Sequence, residues 1–237
     1  MSRTVDGARV ALITGASRGL GRALARALAE RGWILVLDAR GAEALDAVAG
    51  ELAGHTEVVA VVGDVADPEH RAALASAVQR LGGLELLVNN ASALGPSPLP
   101  ALADLRLAEL IQVYQVNVFA PLCLTQLMLP GLTERGGRIV NVSSDAAVEP
   151  YPGWGGYGSS KAALDQLSAI LAAERPDLKI YAFDPGDMRT EMHQQAFPGE
   201  DISDRPEPET VLPALLHLID ADLPSGRYRG ADLAVPA

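Results

Sequence analysis

Only one of the 237 residues is a cysteine, Cys123, so an internal disulfide is excluded, and the chain reads as cytoplasmic, where thiols stay reduced. Cys123 sits in an apolar helical stretch and reads as a small core residue. Lysine is nearly as scarce: Lys161 and Lys179 are the only two. Basic residues number 19 against 30 acidic ones, a formal net charge of −11. That balance argues against nucleic acid and membrane as partners, although local arginines can still bind a phosphate. The four histidines, His55, His70, His193 and His217, have no ligand-like spacing and no cysteine partners, so no metal site is expected. Met1 to Arg9 has no apolar signal core. The longest apolar stretch, Val116 to Leu129, is interrupted by Asn117, Thr125 and Gln126 and reads as too short to cross a bilayer.

What is present is an apolar fraction of 49% with mixed charge, the balance of a globular chain with a sizeable core. Short β-branched runs at 10–14, 34–38, 58–62, 84–88, 138–142 and 179–183 read as strands. Alanine- and leucine-rich stretches at 20–31, 42–52, 68–81, 104–129 and 157–173 read as helices, with Pro121 expected to kink or break the longest of them. Strand–helix alternation implies an α/β fold: a doubly wound, mostly parallel sheet with helices on both faces. Residues 1–237 show no repeat, linker or interior boundary and are expected to form a single domain. From 187 to 209, Pro198, Gly199, Pro206 and Pro208 stand among acidic residues. This excursion follows a strand's carboxyl end and is expected to serve as a substrate lid.

Two patterns carry chemistry. Val10 to Thr14 runs into Gly15-Ala-Ser17-Arg18-Gly19-Leu20-Gly21 and then into a helical stretch. Glycines there allow a tight turn and close approach of backbone amides, and the following helix offers its positive end to a phosphate. Arg18 lies inside the turn, and Arg40 follows the second strand, where an adenosine ribose would sit. A 2′-phosphate favours that positive charge, whereas Asp38 at the same strand end could serve the free ribose of NAD. The register of residues 38–40 decides between them; NADP(H) is preferred, with NAD(H) as the alternative. The second pattern is Tyr157-Gly-Ser-Ser-Lys161. Positions i and i+4 share a helix face, so the ammonium can lie beside the phenol and lower its ordinary pKa of about 10 toward that of a usable proton relay.

With these residues in view, the chain resembles the short-chain dehydrogenase/reductase family in its compact single-domain form, collinearly from about Arg9 to Thr190. Thr14-Gly15-x-x-x-Gly19-x-Gly21 looks like the family's cofactor turn, and Asp64-Val65 like its adenine-contacting pair. Asn89-Asn90-Ala91 matches the Asn-Asn-Ala-Gly motif, except that Ser92 replaces the glycine. Asn117, Ser144, Tyr157 and Lys161 match the catalytic four, the spacing to the tyrosine selecting Ser144 over Ser143. Pro185-Gly186-x-Met188-x-Thr190 matches the segment that closes over the nicotinamide. The resemblance implies a seven-stranded sheet and hydride transfer to or from nicotinamide. It implies Tyr157 as proton donor, Ser144 as hydrogen-bond donor to the carbonyl oxygen, Lys161 on the nicotinamide ribose and Asn117 positioning a water. Cofactor contacts are expected from Gly15, Ser17, Arg18, Gly19, Leu20, Gly21, Arg40, Asp64, Val65, Asn90, Ala91, Tyr157, Lys161, Pro185, Gly186, Met188 and Thr190.

The stretches Pro152 to Tyr157 and Glu174 to Leu178 look somewhat like the sepiapterin-reductase branch. Leu94, Asp145, Tyr151, Trp154, Met188, Met192 and Phe197 flank the motifs as candidates for an apolar pocket, with Trp154 and Phe197 equally readable as lid packing. The expected function is NADP(H)-dependent carbonyl reductase or alcohol dehydrogenase, acting on a small cyclic or aromatic ketone or alcohol. The alternative is a nucleotide-sensing regulatory protein without turnover, which would be expected to lack Tyr157 or Lys161. Pairing through the two long helices, as is common in the family, implies a homodimer or homotetramer.

Overall fold

Seven strands make one sheet in the order β3-β2-β1-β4-β5-β6-β7. They are β1 (Val10–Ile13), β2 (Ile34–Ala39), β3 (Val58–Val62), β4 (Leu86–Asn89), β5 (Arg138–Val142), β6 (Lys179–Asp184) and β7 (Gly226–Arg229). Every pairing is parallel, as expected of β-branched runs buried on both sides. The computed structural model describes residues 9–233, so the expectation about Met1 to Arg9 lies outside the described residues apart from Arg9. Strand β7 was not among the strands read from the chain. Its Gly-Arg-Tyr-Arg sequence has no apolar run, because it is an edge strand paired only with β6.

Side chains alternate across the sheet and feed two cores. Ile13, Leu35, Val88, Val140 and Phe183 pack with α1 (Gly19–Glu30), α2 (Ala42–Leu52) and α8 (Leu212–Asp220). Leu12, Val36, Leu87, Ile139 and Ile180 pack on the opposite face with α3 (Pro68–Arg80) and α5 (Ala120–Arg135). Helix α3 starts where the chain says it should: Pro68 occupies the first turn, and Asp67 accepts from Glu69 N at 2.9 Å. Helix α6 (Gly155–Glu174) lies beside β5 and β6 and adds Leu171 to the second core.

The long helix expected at 104–129 differs from its reading. Asp104 belongs to a 3₁₀ turn, α4 spans Leu107–Tyr114, a π-turn spans Gln115–Phe119, and α5 continues to Arg135. Pro121 does not break the helix. It has no N–H to give the carbonyl of Asn117, and the preceding turn widens so that Ala120 N reaches Gln115 O instead. The whole helix, Leu107–Arg135, is 29 residues and long and apolar enough to cross a bilayer by length and composition, which corrects the shorter reading. Here Val113, Asn117, Val118, Leu124, Met128 and Leu132 are buried, so it is built as a core helix. The 187–209 excursion stays outside the sheet, as expected, and contains the short α7 (Glu191–Ala196).

Strand order reverses between β1 and β4, and the crevice at their carboxyl ends is where such a sheet binds ligands. The chain leaves β1 through Gly15, whose φ of 65° suits glycine. Asn90 locks this turn by donating to Thr14 O at 2.8 Å and Gly15 O at 3.1 Å. Gly21 closes it: a Cβ there would lie 2.4 Å from Gly15 O and 2.6 Å from Asn90 Nδ2. Gly21→Ala is therefore expected to lower unfolding free energy by about 1–3 kcal/mol, measured by urea denaturation.

Candidate active site

One cleft of about 1380 Å³ runs along the carboxyl ends of the strands. The glycine turn, Arg40 and Asp64-Val65 line one end, and Ser144, Tyr157 and Lys161 line the other. Between them lie Asn90 and Ala91, with Pro185, Gly186, Met188 and Thr190 opposite. All the expected cofactor residues line this cleft except Gly21, which packs beneath the turn, and Asn117 stands behind the wall, fully buried.

At the glycine end, α1 begins after Arg18 with no side-chain cap and no acidic residue in its first turn, so its leading amides are left for an anion. Arg18 itself is turned toward α7, where it pairs with Glu191. Arg40 is exposed and, among the described residues, makes no ion pair. Asp38 is buried and takes a hydrogen bond from His70 Nε2 at 2.6 Å. Burial pushes its carboxyl above the ordinary value, with His70 pulling the other way. A glycine cradle and free helix amides together suit the phosphates of a dinucleotide.

At the other end, Tyr157 and Lys161 share the inward face of α6. Lys161 is only 2% exposed; its Nζ donates to Val142 O at 2.7 Å and lies 5.5 Å from the centre of the Tyr157 ring. Burial pushes this lysine down to about 8, with Asp165 opposing. The expected lowering of the Tyr157 phenol does not appear. Burial pushes it up to about 12, only partly offset by hydrogen bonds with Ser144 and Ser92, and the Asp145 and Asp184 carboxylates add to the rise. The Ser143 hydroxyl is buried without a hydrogen-bond partner, whereas Ser144 caps the 3₁₀ turn Asp145–Ala147 and lies beside the phenol.

Asn117 serves as a brace. Its Oδ1 accepts from Ala93 N at 2.8 Å and Ser92 Oγ at 3.2 Å, and its Nδ2 donates to Ala93 O and Ser160 Oγ, both at 2.9 Å. The amide is thus filled by protein partners, and the expected water would have to meet its main-chain carbonyl, which Pro121 leaves without an i+4 donor. Of the pocket candidates, Leu94, Asp145, Trp154, Met188 and Met192 line the cleft; Tyr151 and Phe197 do not. Trp154 does both jobs, stacking edge-on to Tyr157 at 5.7 Å and against Phe197 at 5.9 Å.

Two residues escaped the sequence reading. Ser92 was noted only as a departure from a motif, yet its hydroxyl donates to Asn117 Oδ1 at 3.2 Å and helps to hold the phenol's pKa down. Arg227, from β7, donates to Ser144 O at 2.9 Å, Asp184 Oδ2 at 3.0 Å and Asp165 Oδ2 at 2.9 Å. One guanidinium thereby joins the serine turn, the strand end before Pro185 and the helix turn after Lys161. No local signal marks it, since its partners are 43 to 83 residues away.

Arg227→Ala leaves buried Asp184 with only the longer contact to Arg229, at 3.8 Å, and the amide of Gly186; it is expected to cost about 2–3 kcal/mol in urea unfolding, with Arg227→Lys recovering part of it. The lowered Lys161 gives a pH signature. Below about 8 the folded state bears the full cost of the buried charge, and between about 8 and the unfolded value of 10.5 stability rises with pH. Lys161→Met should remove that rise, of order 3 kcal/mol, in melting curves compared at either side of the window.

The family model described as short chain dehydrogenase matches residues 9–201. Sepiapterin reductase of Meriones unguiculatus is 39% identical over 207 residues, covering 80% of this chain and 78% of the relative. An alcohol dehydrogenase from the archaeon Thermococcus sibiricus, solved in complex with 5-hydroxy-NADP, is 30% identical with a TM-score of 0.84, covering 93% of this chain and 95% of that one. A short chain dehydrogenase from Salmonella enterica serovar Typhi superposes with a TM-score of 0.88 at 29% identity, covering 97% of this chain and 98% of the other.

Proposed function

The chain belongs to the short-chain dehydrogenase/reductase family, and from that premise we propose that it is an NADP(H)-dependent carbonyl reductase or alcohol dehydrogenase acting on a small, uncharged cyclic or aromatic ketone. The observation that carries this reading is the convergence of Tyr157, Ser144 and Lys161 at one end of a cleft whose other end is a glycine-lined helix terminus. Unpaired Arg40, with Asp38 engaged elsewhere, favours the phosphorylated nucleotide. The apolar wall of Leu94, Trp154 and Met192 favours a ring-bearing substrate. The sepiapterin reductases among the relatives agree with that class.

When bound, the nicotinamide supplies or receives the hydride. The protein's own part is proton transfer and charge stabilisation. Tyr157 gives its phenolic proton to the substrate oxygen as negative charge develops there. Ser144 offers that oxygen a hydrogen bond, an interaction stronger in the transition state than in the ground state. Lys161 brings positive charge to the phenol's side of the site and would hold the nicotinamide ribose. Asn117 fixes the floor on which Ser92 and α6 meet. The 187–209 excursion acts as a lid, tied to the glycine turn by Arg18–Glu191 and braced internally by Arg189–Glu207. Exposed Leu107, Ile111 and Ile170 on α4 and α6 supply the apolar face for pairing with a second copy.

The test is the initial rate of NADPH oxidation over a panel of ketones, vicinal dicarbonyls and a reduced-pteridine ketone. Tyr157→Phe is expected to cut kcat about 10²-fold or more, with nucleotide affinity retained. Equal rates in mutant and wild type would remove Tyr157 from the mechanism. Tight NADPH binding without turnover on any carbonyl would favour a nucleotide-sensing protein.

A further inference from the structure

Helix α3 carries a buried histidine that the chemistry above does not use. His70 and Asp38 are 5% and 2% exposed in their side chains, with His70 Nε2 2.6 Å from Asp38 Oδ1. A carboxylate only accepts, so the ring nitrogen donates. The second carboxylate oxygen faces Gly15 N at 3.4 Å. Asp38 stands near the end of β2, two residues before Arg40, and both border the same end of the cleft. Residues so placed compete for the same ribose, since a carboxylate suits its free hydroxyls and a cation suits a 2′-phosphate.

The seat of His70 is shaped to hold it. Ala39 pairs with Val62, and the next residue, Gly63, donates from its N to Ala39 O at 3.0 Å. A Cβ on Gly63 would fall 2.1 Å from His70 Nδ1, so the ring occupies the volume that any other residue would fill. The cations around the cleft end are also sorted. Arg18 pairs with Glu191, Arg22 with Glu51, and Arg26 with Glu30 and Glu51, which leaves Arg40 unpaired among the described residues.

We propose that His70, seated on Gly63, is a specificity-determining residue: by holding Asp38 it withdraws the carboxylate that would take the ribose of NAD and leaves Arg40 to select the 2′-phosphate. His70 stands behind the cleft wall and acts through Asp38, and Gly63, on the cleft's rim, acts by seating the ring. The inference rests on the nucleotide-binding reading above, but not on turnover or on the identity of the substrate.

Dissociation constants for NADPH and NADH, measured by fluorescence titration, test it in wild type, His70→Leu, Gly63→Ala, His70→Gln and Asp38→Asn. Wild type is expected to favour NADPH. His70→Leu and Gly63→Ala, which remove or displace the ring by different means, should each tighten NADH relative to NADPH by about tenfold. His70→Gln, which keeps a donor, should stay nearer wild type. Asp38→Asn should leave the wild-type ratio in place, and added to His70→Leu it should abolish the gain in NADH affinity. A merely structural histidine would weaken both nucleotides together. Unchanged ratios in Gly63→Ala and in folded His70→Leu would overturn the proposal, as would loss of NADH affinity in Asp38→Asn alone. Tighter NADH than NADPH in wild type would instead overturn the NADP(H) reading, with Asp38→Asn then reporting whether Asp38 is the ribose ligand.

Discussion

Lys161 holds an ammonium group in the interior at the carboxyl end of the sheet, and among the described residues its one hydrogen-bond partner is Val142 O. Taking such a cation out of water costs several kcal/mol even after relaxation. The lysine is pushed down to about 8 and the neighbouring phenol up to about 12 by the same cause, desolvation. A site built this way is poised rather than relaxed. Each proton it holds or releases is decided by a few directional contacts, and small displacements of those contacts change which protonation state is favoured. The surrounding structure follows from the need to hold the contacts still.

Holding them still is the work of residues outside the reacting group. Arg227 anchors the carbonyl of Ser144, the strand end at Asp184 and the helix turn at Asp165 with one planar fork. Asn117 braces the loop after β4 against α6, and the π-turn before Pro121 sets the position from which it does so. Ser92 joins that brace to the phenol. Three elements distant in sequence therefore meet at Tyr157 through polar groups that are almost fully satisfied. In a low-dielectric setting, an unsatisfied member would be more costly than an apolar replacement.

The nucleotide end obeys a different logic. There the backbone supplies the cradle and side chains decide by their absence: Gly15 and Gly21 keep space open, and Asp38 is drawn inward. Arg18, which reads as a ligand-binding arginine, spends its charge on Glu191 and so links the turn to α7. Which charges are already paired at this end is invisible until the strands and helices are in place.

Much of the architecture was legible from the chain. Apolar β-branched runs separated by alanine-rich stretches bury on both sides, so six strands and their parallel pairing follow from composition and periodicity. The glycine turn and the Tyr157–Lys161 pair were legible too, because each is set by local geometry: a turn that excludes Cβ atoms, or a helix face repeating every four residues; Asn90 and Ser144 came only from the resemblance to the family's motifs. Strand β7 and the π-turn were not, since an edge strand needs no apolar run and a widened turn has no compositional mark. Only the tertiary structure decided that Arg227 reaches Ser144, that Ser92 bonds Asn117, that His70 holds Asp38, and that burial sets the direction in which Tyr157 shifts. Each of these is a contact or a desolvation between segments far apart in the chain, and neither spacing nor propensity encodes how deeply a charge is buried or which partner it meets there.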